Sequence, residues 1–443
     1  MALGGGTFLV QNKVLPGTYI NFISVAKASA TLSDRGFATM PLELDWGVDG
    51  EVFEVTNADF QKHSLKIFGY EYTHEKLKGL RDLFLNLQTL YAYRLNSGNK
   101  ATNTYATAKY SGTRGNDLKV VIAVNVNDTS KFDVSLYLGA DMIDTQLVAS
   151  AAELVDNDFV TWKKTASLAA TVGVALEGGS NGTVNGAAHQ AYLDKIEAYS
   201  FNVMGVVTTD DTIKGLYANF TKRMRDEVGA KFQAVIYNKA ADYEGVINVK
   251  NKCIDGATTD GGTTTYPNEA ALIYWVTGLE ASCAVNKSCL NKKYDGEFTP
   301  DCDYTQAQLT KAIQDGEFTL HNVGADVRVL SDINSMVTTS DTKGDVFKDN
   351  QTIRVIDQIA NDIATLFNTK YLGVVPNDAS GRISLWADIV KHHEQLQEIR
   401  AIENFTDADV TVDQGDSKKA VVVSDLITVV NAMAQLYMTV KVA

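Results

Sequence analysis

The chain is short of positive charge, of long apolar runs and of cysteine, and each shortage removes a class of function. Its 40 Lys and Arg stand against 54 Asp and Glu, a net charge of −14. No Lys/Arg cluster exists to neutralise phosphates, which argues against nucleic acid as a partner and against an anionic membrane surface. No apolar run reaches the roughly 20 residues that span a bilayer, so no direct membrane insertion is expected. The opening Met1-Ala-Leu-Gly-Gly-Gly6 lacks a basic segment leading into an apolar one. No export signal is therefore expected, and synthesis in a cytoplasm is the default. The four cysteines, Cys253, Cys283, Cys289 and Cys302, lie in one stretch. Structural zinc prefers C-x2-4-C pairs, whereas the nearest pair here is Cys283-x5-Cys289 with no histidine before His321. Zinc, a disulfide and plain thiols are the alternatives, and a cytoplasmic start favours reduced thiols.

Motifs of catalysis are equally scarce. Gly178-Gly-Ser-Asn-Gly182 matches G-x-S-x-G, which in a nucleophile elbow turns a strand directly into a helix. A strand precedes it, but Thr183–Ala187 delays the helix. His189, His321, His392 and His393 have no recognisable triad setting, so a glycine-rich turn at a sheet's carboxyl edge is favoured over a nucleophile. His74-Glu75 begins H-E-x-x-H, but Lys78 stands at the second histidine. His392-His393-Glu394 reads as a solvated helix face, and there is no phosphate loop. No catalytic, cofactor-binding or metal residue is assigned.

What is present is ample core material: 45% of 443 residues are apolar, enough for two to four domains. Leu44 to Asn96 reads as a small α/β unit, with an amphipathic helix over Leu77–Tyr91. Between Ala101 and Trp162 short alternating runs, Leu118–Val126, Phe132–Leu138 and Asp158–Trp162, suggest a β-sandwich. From Leu168 strands alternate with helices: strands at Val172–Leu176, Phe201–Val207, Phe232–Tyr237 and Val246–Val249, helices at Gln190–Tyr199, Asp211–Glu227 and Glu269–Glu280. Such alternation implies an α/β sheet with parallel neighbours. Gly256–Pro267 reads as a flexible polar loop. The remainder reads as helices at Thr305–Asp315, Asp349–Asn368 and Ile383–Arg400, strands near Thr319–His321 and Val327–Leu330, and a closing hairpin.

Both ends carry strand patterns where chain ends are usually polar. Leu436, Met438, Val440 and Val442 fall on one side, Tyr437, Thr439 and Lys441 on the other. At the start, Phe8, Leu9 and Val10, then Tyr19 and Ile20, are strand-like around a Pro16-Gly17 turn. These strands pair within their own domain or add to neighbouring subunits, the latter making a polymer.

Taken in order, several segments resemble the contractile tail sheath proteins of myophages and of phage-tail-like R-type bacteriocins. They are Leu15-Pro-Gly-Thr-Tyr19, the glycine loop Leu176–Gly182 with the helix through Tyr199 and Phe201-Asn202, Gly278–Ser288, Arg328–Ser335 and the closing Ala432–Val440. The Cys253–Cys302 stretch departs from that pattern. The resemblance implies an α/β multidomain fold: an N-terminal arm at 1–22, a small α/β unit at 23–97, an inserted β-sandwich at 98–167, and a subtilisin-like sheath domain without a triad at 168–303. An α+β inner domain at 304–430 and a C-terminal arm at 431–443 complete it. It further implies a structural, non-enzymatic subunit without cofactors. The terminal arms would donate strands to neighbours in a helical homopolymer of six-fold stacked rings. The sheath would contract around a tail tube, with baseplate and tail terminator proteins as further partners, in a virion tail or released particle. Lys391, His392 and Arg400 would face the tube. A cellular contractile injection system and a serine hydrolase built on Ser180 are the rival readings.

Overall fold

The computed structural model describes residues 32–260 and 262–442. The expected N-terminal arm residues Phe8, Leu9, Val10, Tyr19 and Ile20 lie outside the described residues. The described chain forms two compact units. One comprises residues 33–361, 396–404 and 428 onward; the other comprises Leu32, 362–395 and 405–427.

In the larger unit the chain runs β1 (Phe37–Leu42), β2 (Val52–Thr56), α1 (Asn57–Phe68), α2 (Lys78–Phe84) and β3 (Thr89–Arg94). An insertion follows, of β4 (Ala106–Ala108), β5 (Leu118–Val124), β6 (Phe132–Leu138), β7 (Asp141–Val148), β8 (Val160–Trp162) and β9 (Thr171–Ala175). The chain returns through α3 (Gly186–Ile196), β10 (Val203–Val206), α4 (Asp211–Arg223), β11 (Gln233–Tyr237) and β12 (Val246–Val249). It continues through a hairpin, β13 (Thr258–Asp260) and β14 (Thr263–Thr265), then α5 (Leu272–Ser282), α6 (Gln306–Gln314) and β15 (Glu317–Phe318). A second hairpin, β16 (Leu320–Val323) and β17 (Asp326–Val329), precedes α7 (Asn350–Leu366), α8 (Ala379–Glu398), β18 (Ile402–Glu403), β19 (Val410–Gln414), β20 (Val421–Asp425) and β21 (Thr428–Val429).

Seven strands form the main sheet in the order β15-β12-β11-β10-β1-β3-β2. All neighbours are parallel except the β2–β3 edge. Every residue of β10, β11 and β12 is buried, as parallel strands covered on both faces must be. One cover is α5, whose Leu272, Ile273, Trp275 and Val276 are all buried; a helix apolar all round belongs inside. The sheet takes strands from 23–97, from 168–303 and, with β15, from beyond 303. The segments read as separate units are therefore one layer interrupted by the sandwich.

The insertion has a four-stranded antiparallel sheet, β7-β6-β5-β9, and a β4–β8 pair. Its core includes Trp46, Leu118, Val120, Leu136 and Trp162. The strand at Val172–Leu176, assigned to the sheath domain from sequence, is β9 and pairs with β5 inside the sandwich. Where the two folds meet, backbone lies on backbone. A Cβ on Gly98 would stand 2.1 Å from Ser180 O, and one on Gly182 2.1 Å from Ser97 O. Only glycine permits that approach.

Several further sequence expectations need correction. The helix over Leu77–Tyr91 ends at Phe84, because Asn57 Nδ2 takes the Phe84 and Leu87 carbonyls, at 2.8 and 3.1 Å, and Thr89–Arg94 pairs along β1 instead. Helix α1 was not foreseen, although its Thr56 cap accepts from Asp59 N at 3.1 Å and Gly69 closes it at φ 78°. Gly256–Pro267 contains the β13–β14 hairpin rather than plain loop. The closing hairpin is β19–β20; Leu436–Val442 takes no part in it. Finally, His392 and His393 are buried, not solvated.

Gly182→Ala should lower the unfolding free energy by roughly 1–3 kcal/mol, the usual penalty of overpacking, read as a lower urea midpoint. An unchanged midpoint would mean that the sandwich joint is loose.

Candidate functional site

After β21 pairs with β18, the last stretch of chain is fixed at its root and bare beyond. Gln351 of α7 holds the root from both sides: its Nε2 donates to Val430 O at 3.0 Å and its Oε1 accepts from Ala432 N at 3.0 Å. Thr352 Oγ1 donates to Asn431 Oδ1 at 3.2 Å. Beyond Ala432 the chain makes no ladder with any described strand. Met433 is 99% exposed, Leu436 86% and Val442 92%; Tyr437, Met438 and Val440 are exposed too. An alternating apolar row that no described strand pairs is the kind of edge to which another chain can add.

The helix that anchors this arm is itself fixed by buried charge. Arg354, 2% exposed in its side chain, donates to Glu280 Oε2 at 2.5 Å and to Asp332 Oδ2 at 2.6 Å. Asp332 also accepts from Ser288 Oγ and Cys289 N, both at 2.8 Å, and from Asn350 Nδ2 at 3.0 Å. Burial pushes both carboxyls up, but Arg354 and the converging donors bring Asp332 below the usual range. Glu280, with burial and Asp332 both against its charge, stays well above it. Glu280 Oε2 takes Arg354, and its buried Oε1 has no hydrogen-bond partner among the described residues. One turn on, Asp357 of α7 pairs with Arg225 through contacts of 2.5 and 2.8 Å. Glu280, Cys289 and Asp332 place ligand atoms within 4.8 Å of one another, but the Arg354 guanidinium already takes both carboxylates there.

The G-x-S-x-G serine sits on the sandwich joint. Ser180 forms a β-bridge to Asn99, with its Oγ 3.4 Å from Asn99 N. His189 belongs elsewhere, its Nδ1 2.8 Å from Tyr217 Oη in the core. The preceding strand is a sandwich strand, so the turn is not at the main sheet's carboxyl edge. Beside it, buried Arg94 donates to Ser111 O at 2.7 Å, to Asp49 Oδ1 at 3.1 Å and to Asn181 Oδ1 at 3.3 Å. These groups bind the insertion to the main sheet. All four cysteines carry free thiols.

Within the smaller unit, His392 Nε2 lies 2.9 Å from Asp362 Oδ2 and His393 Nε2 2.8 Å from Asp425 Oδ2. His392 is buried with its Nε2 on Asp362, so it presents no exposed group for a tube to meet. Lys391 is exposed, as is Arg400, which lies past the end of α8 at φ +62°. The paired acids Asp362 and Asp425 are distant in sequence and gave no local signal. Among the described residues no helix is long and apolar enough to cross a membrane.

Comparison with known proteins matches this architecture segment by segment. Residues 35–95 match the domain III N-terminal region of tail sheath protein Gp18, 96–181 the phage tail sheath β-sandwich domain, 182–335 the phage tail sheath central domain, and 342–443 the phage tail sheath C-terminal domain. The chain belongs to the phage tail sheath protein family. It is 30% identical to the phage-like element PBSX protein XkdK of Bacillus subtilis, over 99% of this chain and all of that one. The crystal structure of a sheath tail protein from Desulfitobacterium hafniense is 35% identical, with a TM-score of 0.81 over 94% of this chain and 98% of that one. The contracted helical sheath of the anti-feeding prophage shares the fold at 11% identity, with a TM-score of 0.56 over 97% of this chain and 99% of that one.

Asp332→Ala should cost about 3–5 kcal/mol, since it strands a buried guanidinium. Glu280→Gln keeps an acceptor for Arg354 in place of a carboxyl that burial and Asp332 push toward its neutral form, and should cost about 1 kcal/mol or less. Equal losses in chemical denaturation would contradict a protonated Glu280.

Proposed function

We propose that this chain is the repeating subunit of a contractile tail sheath, joined to its neighbours by strand exchange through its terminal arms. The carrying observation is the arm itself, anchored at Gln351 and Thr352 and bare from Met433 onward. Docked on a neighbour's sheet edge, it would exchange ladder hydrogen bonds and bury one apolar face. Burying Leu436, Met438, Val440 and Val442 favours docking by about 1.5–3 kcal/mol each. Ordering costs about 0.5–1.5 kcal/mol per side chain, beside the loss of free translation and rotation.

A head-to-tail contact that does not close on itself builds a helical polymer. Strand links then act as tethers that let rigid subunits swing without parting, while the interfaces between their bodies repack. An extended sheath held by a barrier above a shorter, wider state is the kinetic trap that contraction requires. The partners in this reading are copies of the chain in six-fold stacked rings, a tail tube, and baseplate and terminator proteins. The protein would be made in a bacterial cytoplasm and end in a virion tail or a released phage-tail-like particle. The parallel sheet with flanking helices fits a subtilisin-like scaffold put to structural use. Lys391 and Arg400 are the proposed tube contacts, with His392 withdrawn.

Removing Leu436–Ala443, or replacing Leu436 and Met438 by Asp, should leave a folded protein with an unchanged unfolding midpoint that builds no sheath in negative-stain electron microscopy. Long sheaths from either variant would sink strand exchange. Lys391→Glu combined with Arg400→Glu should block assembly on tubes while tube-free polymer still forms; normal decoration of tubes would remove these residues from that face.

A further inference from the structure

We propose that the cavity between the amino edge of the main sheet and α7 binds a small inorganic anion, held by Arg35, Lys231 and Asn202. The inference stands apart from the sheath reading and uses residues to which that reading gives no role.

The cavity lies where three neighbouring parallel strands begin. Arg35 stands just before β1, Asn202 just before β10 and Lys231 just before β11, while Arg354 and Asp357 of α7 line it too. Its space is about 20 Å³ for the centre of a water-sized sphere, which suits one small ion and no organic ligand. Each wall group is set in place by bonds of its own. Arg35 donates through Nε to Cys283 O at 2.8 Å and through Nη2 to Glu280 O at 3.0 Å. Asn361 clamps the Lys231 backbone: its Oδ1 accepts from Lys231 N at 3.1 Å and its Nδ2 donates to Lys231 O at 2.8 Å. The Lys231 ammonium donates to Arg225 O. Asn202 Oδ1 accepts from Gly36 N and Phe37 N, both at 3.1 Å, so what this side chain has left to offer is its amide donor pair.

The charges around the cavity do not balance. Asp357 is the only acid among the described lining residues, and Arg225 takes both its oxygens, at 2.5 and 2.8 Å. Arg354 is matched by Glu280 and Asp332, and its buried Nε has no hydrogen-bond partner among the described residues. Arg35 and Lys231, both half-buried, have carbonyls where a buried cation ordinarily has a carboxylate. Residues 1–31 contain no Asp or Glu to supply one. Both cations register the excess. Burial and then Arg354 bring Arg35 down to about 10, against Cys283, Asp357 and Glu280. Burial and then Arg225 lower Lys231, against Asp357, Asp226 and Glu244. Donors on several sides and two cations without a counter-charge are what an anion satisfies. Halide and phosphate share that chemistry. An anion there ties the chain entering β1 to α7, the helix that also carries Gln351 and Thr352.

The full-length protein is exchanged into sodium gluconate, whose bulky anion the cavity excludes. Its thermal midpoint is then followed as chloride or phosphate replaces gluconate at fixed ionic strength. The expected result is a saturating rise of roughly 2–5 °C that is lost in Lys231→Met, which keeps the stem and drops the charge. Saturation separates a site from general salt effects, which grow without a plateau. The anion that acts at the lower concentration identifies the source. Wild-type crystals should then show that anion within hydrogen-bond reach of Arg35, Lys231 and Asn202, as an anomalous bromide peak in place of chloride or as tetrahedral phosphate density. A flat or unsaturating wild-type curve, an equal rise in Lys231→Met, or water alone in the cavity would overturn the proposal. If Lys231→Met does not fold, the wild-type curve and the crystal decide.

Discussion

Arg354 is the group on which the larger unit depends. Its guanidinium lies where α5, the Asp332 segment and α7 converge, and it meets both buried carboxyls. Buried pairs seldom stabilise a fold beyond what apolar packing would give, but breaking one is costly. What the arrangement supplies is position. Burial and the neighbouring Asp332 push Glu280 toward its neutral form, so the cluster is desolvated with little net charge. The Asp357–Arg225 pair, three residues along the same helix, adds a second fixed point. Together they register α7 against the sheet.

That registration bears on the arm. Gln351 and Thr352, which hold the arm's root, precede Arg354 on the same helix. In the proposed polymer, tension on a docked arm passes through Val430–Ala432 to α7 and then into ion pairs in the core. A strand hung from a surface loop would yield instead. The sandwich is tied by a different device: glycine backbones in contact at Gly98 and Gly182, with Arg94 bridging the segments around them. Each joint is specific in geometry.

Much of this was legible in the sequence, for reasons that also mark where it stopped. Largely apolar strands such as Val203–Val206 and Val246–Val249 announce a covered parallel sheet, and alternation in Phe132–Leu138 announces a sandwich. The arm was legible because its period of two runs where chain ends are usually polar. The helix read over Leu77–Tyr91 failed because Leu87 and Leu90, three apart, carry the helical spacing past the helix's real end; Asn57, far back in the chain, donates to the Phe84 and Leu87 carbonyls there. His392-His393 looked solvated because its partners, Asp362 and Asp425, are about 30 residues away on other elements. The same holds for Glu280, Asp332 and Arg354, which no local pattern links. Sheet membership was hidden too: β1 to β3 and β10 to β12 are one layer, but the sandwich lies between them in sequence.

The unequal satisfaction of core and ends is itself an argument. Inside, Asp332 takes four donors through its side-chain oxygens, and the guanidinium of Arg94 reaches five residues. At the end, a whole apolar row is left to water. A monomer adapted to remain single would blunt such an edge with charge or proline, or cover it, yet from Ala432 to Val442 the only charged residue is Lys441. The row is therefore consistent with being covered by another copy. A rigid body with a bare tether can be moved bodily while its links persist. A subunit held to its neighbours only through broad faces would have to lose them all at once to move.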